Sequence, residues 1–329
     1  IHAVRLVAAG EAMLSPSVTR TLLSHLGNDE MTDRRRIAVQ RLASLTDRER
    51  EVAAAVGSGA SNAEIAASLF MSEATVKAHV SRLLTKLAVT NRVHVADIAA
   101  CVVPRRRGGL VVATGRGFVL LDRQWHLERT VADLWDDPGV RMNDGACDAA
   151  GRFFCGSMAY DVGAGRGSLY RLDADGSSEA VWHGVTISNG LGWSPDGTIA
   201  YYVDSPTRRI DAFDYDIDTG TFSGRRTFVA IPERVGGPDG LTVDAEGGVW
   251  VALWGGGAVH RYSAAGRLDA VVEVAPRQAS SCTFGGDHLD QLFITTSNEN
   301  LAPGVDPLAG ALFTIRPGVV GQPTLAYGG

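Results

Sequence analysis

An internal repeat of about 40–50 residues, running through the chain after residue 107, is the feature that most limits what this sequence can fold into. One phase reads Asp148-Ala-Ala-Gly151, Ser194-Pro-Asp-Gly197 and Asp244-Ala-Glu-Gly247. Each tetrad precedes a short β-branched or aromatic run: Phe153-Phe154, Ile199–Val203 and Val249–Ala252. The three glycines are 46 and 50 residues apart. A second phase ends at Gly176, Gly220 and Gly266, spaced 44 and 46, each after a run such as Leu169-Tyr-Arg-Leu172. Two interleaved hairpins per period are the pattern of a four-stranded propeller blade. Weaker copies at Gly117–Leu121, Gln291–Thr295 and Ala311–Ile315 bring the expected count to about five blades.

Residues 1–100 have a different grammar: their one proline is Pro16, and they read as helices. Thr46 with Glu49 and Ser61 with Glu64 have capping-box spacing, and Ser72 suits the N-cap of a third helix. The expected helices are Asp47–Val56, Asn62–Leu69 and Glu73–Leu87, the last two joined by Phe70-Met71-Ser72. Val76, Val80, Leu83 and Leu87 form the apolar stripe of the third helix. A short helix, a tight turn and a longer helix describe a helix-turn-helix. On that reading Lys77, Ala78 and Ser81 approach base edges, while His79, Arg82 and Lys86 meet phosphate. The bland alternative for any one of these cations is a solvated helix face.

Charge does not settle the matter. Residues 1–104 carry 12 Lys+Arg and 10 Asp+Glu, whereas residues 105–329 carry 19 and 27. The acidic second half argues against nucleic acid there. No apolar run reaches the length of a membrane span, and no signal peptide is visible. Cys101, Cys147, Cys155 and Cys282 have no metal-ligand spacing, so they read as small buried hydrophobes in a reduced, cytoplasmic protein. The chain opens on Ile1, which reads as a fragment of something longer.

Leu45-Thr-Asp-Arg-Glu-Arg-Glu-Val52, Ser61-Asn-Ala-Glu-Ile-Ala66, Ser72-Glu-Ala-Thr-Val-Lys-Ala-His79 and Val89-Thr-Asn-Arg92 resemble the LuxR/FixJ/NarL output domain. Val4 to Arg20 resembles the end of a response-regulator receiver and its linker. The resemblance implies double-stranded DNA as a partner and a homodimer through the helix after Asn91.

In the second half, Asn143, Asn189 and Asp239 each lie eight residues before a first-phase glycine. Equivalent positions of successive blades converge on a propeller axis, and a ring of amide and carboxylate oxygens suits a hard divalent cation. Asn-Gly and Asp-Gly also form turns, which is the bland reading of any one of them. Arg141-Met-Asn-Asp-Gly145, Ile187-Ser-Asn-Gly-Leu-Gly-Trp193, Gly237-Pro-Asp-Gly240, Trp250-Val-Ala-Leu-Trp254, Cys282-Thr-Phe-Gly-Gly286 and Gly310-Ala-Leu-Phe313 resemble the senescence marker protein/gluconolactonase/regucalcin family. That family is six-bladed and hydrolyses sugar lactones with a divalent metal. The resemblance implies Asn189 and Asp239 as metal ligands, for Ca, Zn, Mn or Mg. It implies Arg141 and Asn143 as substrate contacts and Asp239 as the catalytic group that helps activate water. The family's first-blade Gly-Glu-Gly-Pro, whose Glu is a third ligand, is absent; its loss is expected to weaken metal binding, to leave an exposed strand edge and to count against lactonase activity.

The sequence therefore predicts a multidomain chain, an all-α helix-turn-helix followed by an all-β propeller of about five blades. Residues 1–40 are expected as a helical linker, 41–103 as the DNA-binding domain, 104–109 as a second linker and 110–329 as the N-terminally truncated propeller. The leading expectation is a cytoplasmic DNA-binding regulator whose propeller senses a sugar lactone or another small ligand. A metal-dependent lactonase with a DNA-binding appendage is the alternative, and a gene fusion in which neither part keeps its family's activity is the third.

Overall fold

A computed structural model describes residues 45–57, 62–72, 75–76, 78–80, 82, 98–131, 133–302 and 305–329. The chain divides into two compact units at Val93/His94.

In the first unit, α1 spans Asp47–Gly57 and α2 spans Asn62–Ser68. The Thr46 box forms as the sequence specifies: the Thr46 N–H donates to Glu49 Oε2 at 2.9 Å, and the Glu49 N–H donates to Thr46 Oγ1 at 3.3 Å. Ser72 caps a third helical stretch, accepting the Thr75 N–H at 3.1 Å. Leu45, Val52, Ile65, Ala66 and Val76 are buried together, with Val80 partly buried against them. The second box, at Ser61, lies outside the described residues.

The second unit is a five-bladed propeller. Blade A comprises β1 (Cys101–Pro104), β2 (Leu110–Ala113), β3 (Phe118–Leu121) and β4 (Leu127–Thr130). Blade B comprises β5 (Val140–Cys147), β6 (Phe153–Ala159), β7 (Gly167–Leu172) and β8 (Ser178–Val185). Blade C comprises β9 (Ser188–Trp193), β10 (Ile199–Asp204), β11 (Arg209–Asp216) and β12 (Thr221–Ala230). Blade D comprises β13 (Gly237–Val243), β14 (Val249–Trp254), β15 (Ala258–Tyr262) and β16 (Leu268–Glu273). Blade E comprises β17 (Ala279–Gly285), β18 (Gln291–Thr296) and β19 (Leu312–Ile315), three strands among the described residues. Each blade is an antiparallel meander, and β1, β5, β9, β13 and β17 face one another around the axis.

The repeated glycines sit where the period places them. Gly151, Gly197 and Gly247 take φ of +93°, +72° and +80° in the turns between the first and second strands of blades B, C and D. The residue three before each is buried and holds the turn. The Asp148 carboxylate accepts the Arg152 N–H, Asp244 accepts the Glu246 and Gly248 N–H groups, and Ser194 Oγ accepts the Ile199 N–H.

The core lies between blades. Phe118 and Leu120 pack on Met142 and Phe153 between blades A and B. Leu169 and Phe154 pack on Trp193 and Tyr202 between B and C, and Val203 and Ile210 on Leu241 and Val251 between C and D. Trp250 and Val259 pack on Phe284 and Ile294 between D and E. The segment after β19 crosses the C-terminal ends of the inner strands. Gln322 Nε2 donates to Trp193 O (2.9 Å) and Val243 O (3.2 Å), and Tyr327 pairs with Arg105.

Two expectations are corrected here. The architecture is nearly all β among the described residues rather than an all-α domain beside a propeller, because the helical pieces are short and the repeat accounts for the rest. Residues 104–109 form no linker: Pro104 belongs to β1, and the following arginines and glycines make the β1–β2 turn. Arg105 is buried, with its guanidinium on Glu128 at 2.7 Å and on the Leu121 carbonyl at 2.9 Å. An Arg-Arg-Arg-Gly-Gly string looks solvated in one dimension; a partner 23 residues away is what buries its first member.

Candidate functional site

The inner strands of blades B, C, D and E lose register at one level of the ring. Pairing shifts between Met142 and Gly145 in β5, between Ser188 and Leu191 in β9, between Pro238 and Leu241 in β13, and between Ala279 and Ser281 in β17. In blade A, β1 pairs with β2 without interruption. A bulge frees residues from strict up–down alternation and re-aims their side chains. The freed residues are Asn143-Asp144, Asn189-Gly190, Asp239-Gly240 and Ser280. The bulges therefore hold the residues that the sequence assigned to a shared register.

The side chains meet as a connected set. Arg141 Nη1 donates to Asn143 Oδ1 at 2.7 Å and to the Met142 carbonyl at 2.9 Å. Asn143 Nδ2 donates to Asn189 Oδ1 and to the Ser188 carbonyl, each at 2.8 Å. Asn189 Nδ2 donates to Ser205 Oγ at 2.7 Å, and that hydroxyl donates to the Pro238 carbonyl at 2.6 Å, next to Asp239. The Asn-Gly pair of blade C is no turn. Gly190 lies inside β9, where a Cβ would come within 2.7 Å of Leu241 N and 2.8 Å of Asp239 O. The glycine is there for close approach of blades C and D beside the site.

Two carboxylates share this level. Burial pushes Asp239 well above the usual range, and the negative charges of Asp144 and then Glu299 push it further. Burial raises Asp144 to about 6, against the pull of the Gly145 N–H. Neither has a basic side chain among the groups that shift it. Asp144 and Ser205 were not among the sequence-derived candidates. Asp144 follows Asn143 directly, and strand alternation would send it to the opposite side; only the bulge lets both serve the channel.

The donor set fits a hard cation. Two half-buried carboxylates with no basic side chain among the groups that shift them, and the Asn189 carbonyl oxygen, which retains a lone pair, are oxygen donors of the kind such ions take. Among the described residues no three His, Cys, Asp or Glu side chains converge as a cage, so a cation here would lean on amide and water oxygens. On the other side of Asp144, toward the C-terminal ends of the inner strands, lies a cavity of about 630 Å³. Val103, Cys147, Leu191, Val243, Phe284 and Leu325 line much of it, so this end lacks the amide cluster.

The residues expected at DNA do not support that role. His79 is half-buried, and its Nδ1 is enclosed without a partner among the described residues, unlike a phosphate contact. Ala78 and Arg82 are exposed, and Arg82 Nε folds back on the Ala78 carbonyl at 3.2 Å. Lys77, Ser81, Lys86 and the expected dimer helix after Asn91 lie outside the described residues. No helix among the described residues is long and apolar enough to cross a membrane.

The family model that matches is the SMP-30/gluconolactonase/LRE-like region, over residues 57–298. The chain is 37% identical to regucalcin of Danio rerio over 257 residues, 76% of this chain and 87% of that protein. It is 37% identical to a pentonolactonase of Haloferax volcanii, over 69% of this chain and 79% of the other. Among solved structures it resembles a calcium-binding protein, regucalcin, from Agrobacterium tumefaciens, with 31% identity and a TM-score of 0.64 over 69% of this chain and 78% of that one. The family match begins at residue 57 and so takes in the segments read as the second and third helices of a DNA reader. These findings overturn the LuxR and response-regulator assignment, the transcriptional function and double-stranded DNA as the partner. Capping and periodicity specify that a segment is helical; they do not specify what the helix touches.

Proposed function

The chain belongs to the SMP-30/gluconolactonase/LRE-like family, and from that premise we propose that it is a hydrolase that opens sugar lactones with a divalent cation at Asn189 and Asp239. The observation that carries this reading is the axial set itself. Asn143 and Asn189 lie in one hydrogen-bonded chain that runs on toward Asp239, beside two carboxylates without a base.

Lactone opening adds water across an acyl C–O bond. When bound, the cation supplies a Lewis acid for the carbonyl oxygen. Asn189 and Asp239 would hold it, with Asp144 adding negative potential from the channel side. Arg141 and Asn143 are fixed to each other and offer donors to the lactone's ring and hydroxyl oxygens. Asp239, as its carboxylate, accepts a proton from the attacking water. As the acyl–oxygen bond breaks, Asp239 returns that proton to the departing ring oxygen, which leaves as a hydroxyl, and the product acid ionises to a carboxylate whose negative charge Arg141 meets. The bonds from Ser205 to Asn189 and to the Pro238 carbonyl keep the amide and the acid at a fixed separation.

The test is hydrolysis of aldonolactones with Ca²⁺, Mn²⁺, Zn²⁺ or Mg²⁺ supplied in turn, before and after chelation. Turnover should depend on the cation and fall by about 10³-fold or more in Asp239→Ala. Absence of turnover with every cation and lactone tried would remove the proposal.

A further inference from the structure

The β6–β7 turn stands at the same end of blade B as Arg141, since Arg141 pairs with Met158 and Val140 with Ala159. Its backbone is costly. Val162, a β-branched residue, has φ +57°, in the left-handed region that such side chains avoid. The turn is nonetheless held from several sides. The Val162 N–H donates to the Ala159 carbonyl at 3.0 Å, and the Tyr160 N–H donates to the Gly139 carbonyl at 2.9 Å. Arg166 clamps it through Asp161 at 2.8 Å and Asp137 at 2.7 Å, and the Gly163 N–H donates to Asp161 Oδ1 at 3.0 Å. What this fixed geometry presents is apolar: Tyr160 is 56% exposed and Val162 47% exposed. The Arg141 guanidinium lies 5.7 Å from the centroid of the Tyr160 ring, which ties the ring to the Arg141–Asn143–Asn189 chain. A strained backbone that keeps large apolar groups in water beside a polar site is spent on function rather than on packing.

We propose that Tyr160 and Val162 form the apolar wall of the lactone site, a platform against which the C–H face of a sugar ring lies while Arg141 and Asn143 engage its oxygens. Tyr160 is thereby a positioning and specificity residue. The ring favours pyranose or furanose lactones with a continuous C–H face over open or branched esters. This inference rests on the lactonase reading above.

The test measures kcat, KM and thermal midpoint for the parent, Tyr160→Ala, Tyr160→Phe and Val162→Gly on glucono-1,5-lactone with the activating cation. Tyr160→Ala should raise KM about three- to tenfold with kcat within about twofold, and Tyr160→Phe should restore the parent KM. Val162→Gly should raise KM while its thermal midpoint stays at or above the parent's, because glycine relieves the left-handed strain. A role in stability alone would lower the midpoint and leave KM unmoved. A parent that turns over while Tyr160→Ala keeps its KM overturns the wall and leaves the lactonase reading intact. A parent with no turnover overturns the lactonase reading and the wall with it.

Discussion

The two ends of the central channel are built from the same inner strands, yet only one of them gathers the connected amide and carboxylate set. At the N-terminal end, β5, β9 and β13 bulge and present Asn143, Asn189 and Asp239. A few residues further along, Cys147, Leu191 and Val243 line a cavity of mixed character, together with Ser194, Thr242 and Gln322, crossed by the segment after β19. Position along a strand, relative to its bulge, decides whether a residue joins the polar cluster or packs. Blade A makes the same point from the other side: β1 has no bulge and supplies none of the site residues.

That comparison breaks most sharply on β9, where Asn189 and Leu191 are two residues apart. Asn189→Ala should cut lactone turnover on the order of 10²-fold and shift the thermal midpoint little. Leu191→Ala should do the reverse. It removes a buried side chain, so a loss of about 2–5 kcal/mol in denaturant unfolding is expected with kcat retained. Equal effects of the two on turnover would mean that the ends of the channel are not separate.

The carboxylates sharpen the comparison through pH. Asp144 in the folded chain is raised to about 6 from 3.8, and Asp239 is raised in the same direction. A raised carboxyl binds its proton more tightly when folded. Its stabilising contribution is therefore full below about pH 4 and is lost as pH rises through about 6. In chelator, stability of the parent should fall across that window, and Asp144→Asn should remove on the order of 2–3 kcal/mol of the slope. A bound cation should flatten the parent's curve too, since it stabilises the ionised forms. The smallest effect belongs to the cavity end. Gln322→Ala loses the bonds to the Trp193 and Val243 carbonyls and should cost about 1 kcal/mol with activity unchanged.

Much of the fold was legible in the sequence. Gly151, Gly197 and Gly247 marked the turns, and the second glycine phase marked the outer hairpins, because a left-handed turn demands glycine wherever the chain meets it. The capping box at Thr46 was legible for a similar local reason. What went astray was inference from local signals to long-range roles. The arginines at 105–107 read as a linker, whereas Arg105 is buried on Glu128. The third helical stretch read as a DNA reader, whereas the family match takes in that stretch. Asp144 was passed over because period-two alternation sets it opposite Asn143.

The sequence by itself determined the blade period, the glycine turns and the residue types at the axis, since these depend on backbone torsions and on spacing along one chain. Only the tertiary structure decided that Asn143 bonds Asn189, that Ser205 links Asn189 to the backbone beside Asp239, and that Asp144 and Asp239 are half-buried with no basic side chain among the groups that shift them. Those relations span tens of residues and depend on how far each bulge turns a side chain toward the axis. Nothing in the one-dimensional pattern fixes that rotation; the packing of one blade against the next does.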